Sequence, residues 1–219
     1  DDHKFHYQFA FNPVFAGEGY VNFFNYLPIV ESRHHLGFIV NSPDFSIDNS
    51  RQRISDKYKT GQELKLAFEE LLKKINTIKS SDKDLFDYIY RCLLVCEIPY
   101  DEDHKYVENA FDSTLREFLR KNVLTNNGKY VSVENVRKSG ENENTLIPFS
   151  INSEYVGCYW IDESVRGEYE NCHGIEIETV SQYNILKNAD YDKLSSWILS
   201  LDEEAYKQFH DDCLSNSNR

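Results

Sequence analysis

Residues 103–133, DHKYVENAFDSTLREFLRKNVLTNNGKYVSV, contain a switch of hydrophobic period. Val107, Ala110, Phe111, Leu115, Phe118 and Leu119 recur at three- and four-residue steps, which gathers them on one face of a helix. Asp103 stands where an N-cap belongs, and Arg116, Arg120 and Lys121 fill the last turn, matching the negative end of the helix dipole. The period then breaks. Asn126-Asn127-Gly128 separates Val123-Leu124 from Tyr130–Val133, which predicts a hairpin with a type I′ turn, whose two central residues need φ > 0.

Two more helices precede this one. Leu64, Phe68, Leu71, Ile75 and Ile78 predict a helix from about Gln62 to Ile78. Ser80 or Ser81 offers a cap for the next, which carries Leu85, Phe86, Ile89, Leu93 and Cys96 and stops before Pro99. Before the helices, Phe5, Tyr7, Phe9 and Phe11 alternate with Lys4, His6, Gln8 and Ala10, the signature of a half-buried strand. Leu36–Val40 predicts a second strand; residues 20–27 fit either state, and 44–60 read as polar loop. After the hairpin come a polar loop (137–145), strand candidates over 146–151, 155–161 and 174–180, and two short helices, Tyr191–Leu201 and Glu203–Leu214, with Asp202 as a cap between them. Strands, helices, strands, helices is not a regular βαβ alternation. It predicts an α+β fold: a single domain over residues 1–219 with N-terminal strands, a central three-helix segment, a second antiparallel β group and a C-terminal helical pair, with a possible internal boundary near 137–145.

The chain has 219 residues, 31 of them aromatic by count of 15 Tyr, 14 Phe and 2 Trp, which is far more to bury than a disordered chain offers. Nine Gly and five Pro exclude collagen-like and low-complexity classes. No apolar run approaches the ~18 residues that span a bilayer. Five cysteines, an odd number, no Asn-x-Ser/Thr sequon, and no basic-then-apolar stretch in residues 1–20 predict a cytoplasmic protein.

The formal net charge is −13 and it is lopsided. Residues 1–100 hold 12 Lys/Arg against 14 Asp/Glu, whereas 101–219 hold 12 against 23. This argues against nucleic-acid backbones and anionic membranes, both of which need clustered cations, and favours a basic partner steered in by long-range attraction. Neither G-x-x-x-x-G-K-[ST] nor G-x-G-x-x-G occurs, and Gly17-Glu18-Gly19 reads as a turn, so no phosphate-binding glycine loop points to a common nucleotide-dependent enzyme and no cofactor is expected.

The clearest constellation lies at 159–178. Asp162, Glu163, Glu168, Glu170, Glu176 and Glu178 are interleaved with Tyr159 and Tyr169, and no Lys or Arg occurs between Arg166 and Lys187. Tyrosines anchor interfaces and carboxylates receive Arg or Lys, so Tyr159, Asp162, Glu163, Glu168, Tyr169 and Glu170 form a candidate surface for a basic partner. The same segment offers a catalytic alternative: Cys172 beside His173, with Glu176 and Glu178 on one strand face, as in a hydrolase or transferase. His3, His6, His34 and His35 suggest a metal, but alternation turns the members of each pair apart, and no metal is expected. Cys92 and Cys96, one helical turn apart, read as core, and 97–104 reads as a helix–helix connection. The expected function is therefore a soluble, non-enzymatic binding protein, inhibitor- or immunity-like, with an oligomeric structural component as a further alternative.

Overall fold

The computed structural model describes residues 6–50, 52–140 and 146–216. The α+β class holds, and the chain divides into two compact units: Asp1–Leu119 with Glu168–Ile175, and Arg120–Gly167 with Glu176–Arg219.

In the first unit, β1 (Gln8–Phe11), β2 (Phe23–Asn25), β3 (Leu27–Pro28) and β4 (Phe38–Asn41) form one sheet in the order β1-β4-β2-β3. β4 is antiparallel to β1 and parallel to β2, and β2 and β3 pair antiparallel, so within the ambiguous stretch 20–27 Phe23–Asn25 and Leu27 are strand. Phe5, Lys4 and His3 lie outside the described residues. The three central helices are α1 (Lys57–Ile78), α2 (Lys83–Leu94) and α3 (Lys105–Lys121). α1 starts at Lys57 rather than Gln62 because the Asp56 side chain accepts from Lys59 N at 3.0 Å. Asp82, not Ser80 or Ser81, caps α2 by accepting from Leu85 N. Asp101, not Asp103, caps a 3₁₀ turn (Glu102–His104) that leads into α3.

The helix faces read from the sequence are mostly the buried ones, but Leu85 of α2 is exposed and Ile78 of α1 only half-buried. All six apolar positions named on α3 are buried, and on α1 Leu72 takes the core place given to Leu71. Phe38, Phe68 and Phe111 form the centre: Phe38 stacks on Phe68 at 5.6 Å, and Phe111 meets Phe68 edge-on at 4.9 Å. Gly37 sets how closely the sheet meets α2. A Cβ there would stand 1.9 Å from the Cys92 carbonyl oxygen, so only glycine fits. Cys92 and Cys96 are buried, and burial pushes the Cys96 thiol up to about 12.

In the second unit, β5 (Val123–Leu124) and β6 (Tyr130–Val131) form the expected antiparallel hairpin, with a different turn. Only Gly128 has positive φ (71°). Gly128 N donates to Thr125 O at 2.8 Å and Thr125 N to Lys129 O at 2.9 Å, so a type I turn is followed by one left-handed residue in place of type I′. β7 (Val136–Ser139), β8 (Tyr159–Trp160) and β9 (Glu178–Val180) form a sheet in the order β8-β7-β9, and both pairings are parallel. The expectation of an antiparallel group is thus met only by β5 and β6. The long connections that follow β7 bring the chain back to run in the same direction. The strand expected at 146–151 is instead a 3₁₀ turn over Phe149–Ile151, and that at 155–161 shrinks to β8 because Gly157, at φ 85°, breaks its alternation.

A short helix not anticipated, α4 (Gln182–Lys187), is capped by Ser181. The C-terminal pair is α5 (Tyr191–Ser200) and α6 (Glu203–Asn216), with the Asp202 side chain accepting from Ala205 N at 2.8 Å. The core of this unit is Ile147, Phe149, Ile151, Trp160, Val180 and Ile185, against which Leu194, Trp197 and Phe209 of the helical pair pack. Among the described residues, no helix is long and apolar enough to cross a membrane.

Candidate functional site

The boundary between the units cuts the segment singled out in the sequence. Tyr159, Asp162 and Glu163 belong to the second unit, Glu168, Tyr169, Glu170, Cys172 and His173 to the first, and Glu176 and Glu178 again to the second. Tyr169 is 0% exposed and its hydroxyl pairs with that of Tyr90, so this ring is core and not an anchor for a partner. The reason is local: residues 168–172 wind into a π-type turn, which points Tyr169 inward and leaves Glu168 and Glu170 half-exposed on either side.

Cys172 and His173 are not arranged as a nucleophile and its base. Burial, with Glu97 and Glu168 nearby, pushes the Cys172 thiol up, away from the thiolate. His173 is buried and its Nε2 donates to the Leu94 carbonyl at 2.8 Å, a structural bond across the first unit. Burial lowers its affinity for a proton. Glu176 and Glu178 are both exposed while Ile175 and Ile177 are buried, as alternation predicts, and Glu178 pairs with Arg137 at 3.2 Å. Among the described residues, no group of three or more His, Cys, Asp or Glu could hold a metal.

The remaining predicted surface residues are largely satisfied from within. Glu163 is paired with Arg166 at 2.8 Å, Asp162 accepts from Ser164 N at 3.0 Å, and the Tyr159 ring lies under the Lys129 ammonium at 5.2 Å. Asp162, Glu168 and Glu176 have no ion pair among the described residues, and neither do several carboxylates outside this segment. Asp192 on α5, and Glu203 and Glu204 at the start of α6, have no basic partner among the described residues and are exposed.

α5 is held in place by its first turn. Asp190 Oδ1 accepts from Asp192 N and Lys193 N, and Asp190 N donates to Ile151 O at 2.7 Å. This fixes the helix alongside the 148–151 turn and opens a cleft of about 390 Å³ between them. Pro148, Ile151 and Trp197 give the cleft apolar walls, and Asp192 also lines it. Lys193 also borders it, its ammonium donating to the Ser150 carbonyl at 3.3 Å, which fixes the group without neutralising its charge. Trp197 is fixed by an edge-on contact with Phe209 at 5.2 Å. The outer surface of the pair is apolar as well as acidic: Tyr191 is 80% exposed and Leu199 86%.

No family model, curated protein or solved structure matches this chain.

A cleft with apolar walls and one unpaired carboxylate suits a long cationic side chain, whose methylene stem lies along the walls while its head meets the acid. Sequence reading identified α5 but not this face. The signal available was the i, i+4 pairing of Asp192 with Ser196 and of Lys193 with Trp197.

Proposed function

We propose that this chain is a non-enzymatic, cytoplasmic binding protein that holds a basic protein partner, in the manner of an inhibitor or immunity protein. The observation that carries the reading is the shallow cleft beside α5, where unpaired Asp192 stands among Pro148, Ile151 and Trp197. A lysine or arginine of the partner enters it, and Glu203 and Glu204 extend the acidic field around it. The overall charge of −13 speeds the encounter. Exposed Tyr191 and Leu199 supply the apolar contact that charge alone lacks.

The test is a pull-down from the native source at low salt with the wild-type chain and the variant Asp192→Lys/Glu203→Lys/Glu204→Lys, each eluted on a salt gradient. The expected result is a stoichiometric basic protein on the wild type that is released by moderate salt and absent from the variant. A variant that retains the same protein, or a wild type whose mass doubles in sedimentation because it binds a second copy of itself, overturns the reading.

A further inference from the structure

Against the acidity of the whole, one concavity of the first unit is basic. It measures about 480 Å³ and lies between the start of α1 and the start of α3. Two sets of residues at i, i+3, i+4, i+7 line it: Tyr58, Gly61, Gln62 and Lys65 from one side, and Glu102, Lys105, Tyr106 and Asn109 from the other. Gly61 makes the groove's floor. A Cβ there would come within 3.0 Å of the Tyr106 carbonyl oxygen, so the two backbones touch at this point.

Three ammonium groups face this space and one carboxylate opposes them. Lys57 donates to the Asp103 carbonyl at 2.9 Å and lies 5.8 Å from the Tyr106 ring centre, so its position is fixed without its charge being neutralised. Lys65 has no ion-pair partner among the described residues, and Lys105 is paired with Glu108 at 2.8 Å. Gln62 Nε2 donates to the Tyr58 hydroxyl at 2.7 Å, which holds that otherwise exposed ring and leaves the Gln62 carbonyl oxygen to accept.

We propose that this groove binds a phosphomonoester carrying a planar ring, of nucleoside monophosphate size. Lysine ammoniums are point charges that suit the tetrahedral phosphate, and the lining has no arginine fork of the kind that selects planar carboxylates. Lys57 and Lys65, neither in an ion pair, against Glu102 suit the small charge of a monophosphate better than the four charges of a triphosphate. The volume lies in the range of small-molecule sites and exceeds what inorganic phosphate fills. Tyr58, 76% exposed, offers a face for the ring, and Gln62 and Asn109 offer amides for its edge. The phosphate is held by side chains, which is why no glycine loop announces the site in the sequence.

The inference is independent of the acidic cleft on the second unit. It is tested by calorimetric titration of the full chain at low ionic strength with adenosine monophosphate, adenosine and inorganic phosphate. The expected order is adenosine monophosphate tightest, with each half of the molecule at least about tenfold weaker, and a loss of about three- to tenfold for Lys65→Ala, an exposed change that leaves the core untouched. Heat with inorganic phosphate equal to that with the nucleotide, binding indifferent to Lys65→Ala, or no binding of any of the three at millimolar concentration overturns it.

Discussion

His34 is 1% exposed, and its neighbours explain why it stays neutral. Burial pushes its pKa down to about 3 and the His104 ring 4.9 Å away acts in the same direction; Asp101 opposes them, and His35 and Lys57 add smaller lowering effects. Nε2 pairs with the Tyr106 hydroxyl at 3.3 Å, whereas Nδ1 has no partner. An unfolded histidine titrates near its ordinary 6.5. Between pH 6.5 and 3 the unfolded chain therefore takes up a proton that the folded chain refuses, and stability falls as pH falls through this window. The contribution is fully present above pH 6.5 and is reduced by about 2 kcal/mol at pH 5. Urea midpoints at pH 7.5 and pH 5 measure it: the drop for the wild type exceeds the drop for His34→Gln, and equal drops would remove His34 as the source. The sequence placed His34 beside a strand but gave no sign of its partners, because His104 and Tyr106 are some seventy residues away.

Elements were legible where periodicity runs long and illegible where side chains cap short turns. α1, α2 and α3 each present several turns of apolar face, and burial followed it except at Leu71, which yields to Leu72, at half-buried Ile78 and at exposed Leu85. Residues 146–172 are different. Asn152 and Asp162 each accept from the backbone N–H two residues on, Glu154 and Ser164, and so fold strand-like composition into turns. Strands of two to four residues, as in β7, β8 and β9, are too short to display alternation, which is why their parallel pairing could not be read. The candidate site suffered from the same blindness, since Tyr169 sits in a turn whose inward face has no periodic signature. The β5–β6 hairpin shows how one residue decides such a turn. Gly128 alone carries the positive φ, so Gly128→Ala is expected to cost about 1 kcal/mol and Gly128→Asn markedly less. Urea unfolding of the two variants checks this, and an alanine variant as stable as the wild type would mean that the turn does not hold a left-handed residue.

For the whole molecule the decisive feature is how the chain is threaded. It leaves the first unit after Leu119, builds part of the second, returns to the first for Glu168–Ile175, and then completes the second. The returning segment is not incidental to the first unit: it supplies the buried Tyr169 that pairs with Tyr90, and the buried His173 that donates to Leu94. Residues 1–119 alone would therefore leave the Tyr90 hydroxyl and the Leu94 carbonyl without these partners in the interior, a cost of about 1–3 kcal/mol for each. The chain stretches on both sides of this segment belong to the second unit, so unfolding of that unit frees the ends that hold the segment in register. Loss of one unit then weakens the other, and the single-domain reading of the sequence translates into one cooperative transition. The aromatic distribution makes this measurable without labels. Both tryptophans, Trp160 and Trp197, lie in the second unit, so fluorescence reports on that unit, whereas far-ultraviolet circular dichroism is dominated by α1, α2 and α3. The two signals are expected to share one midpoint in urea. Separate midpoints, with fluorescence changing first, would show that the first unit keeps its helices without the second and that the chain is two domains.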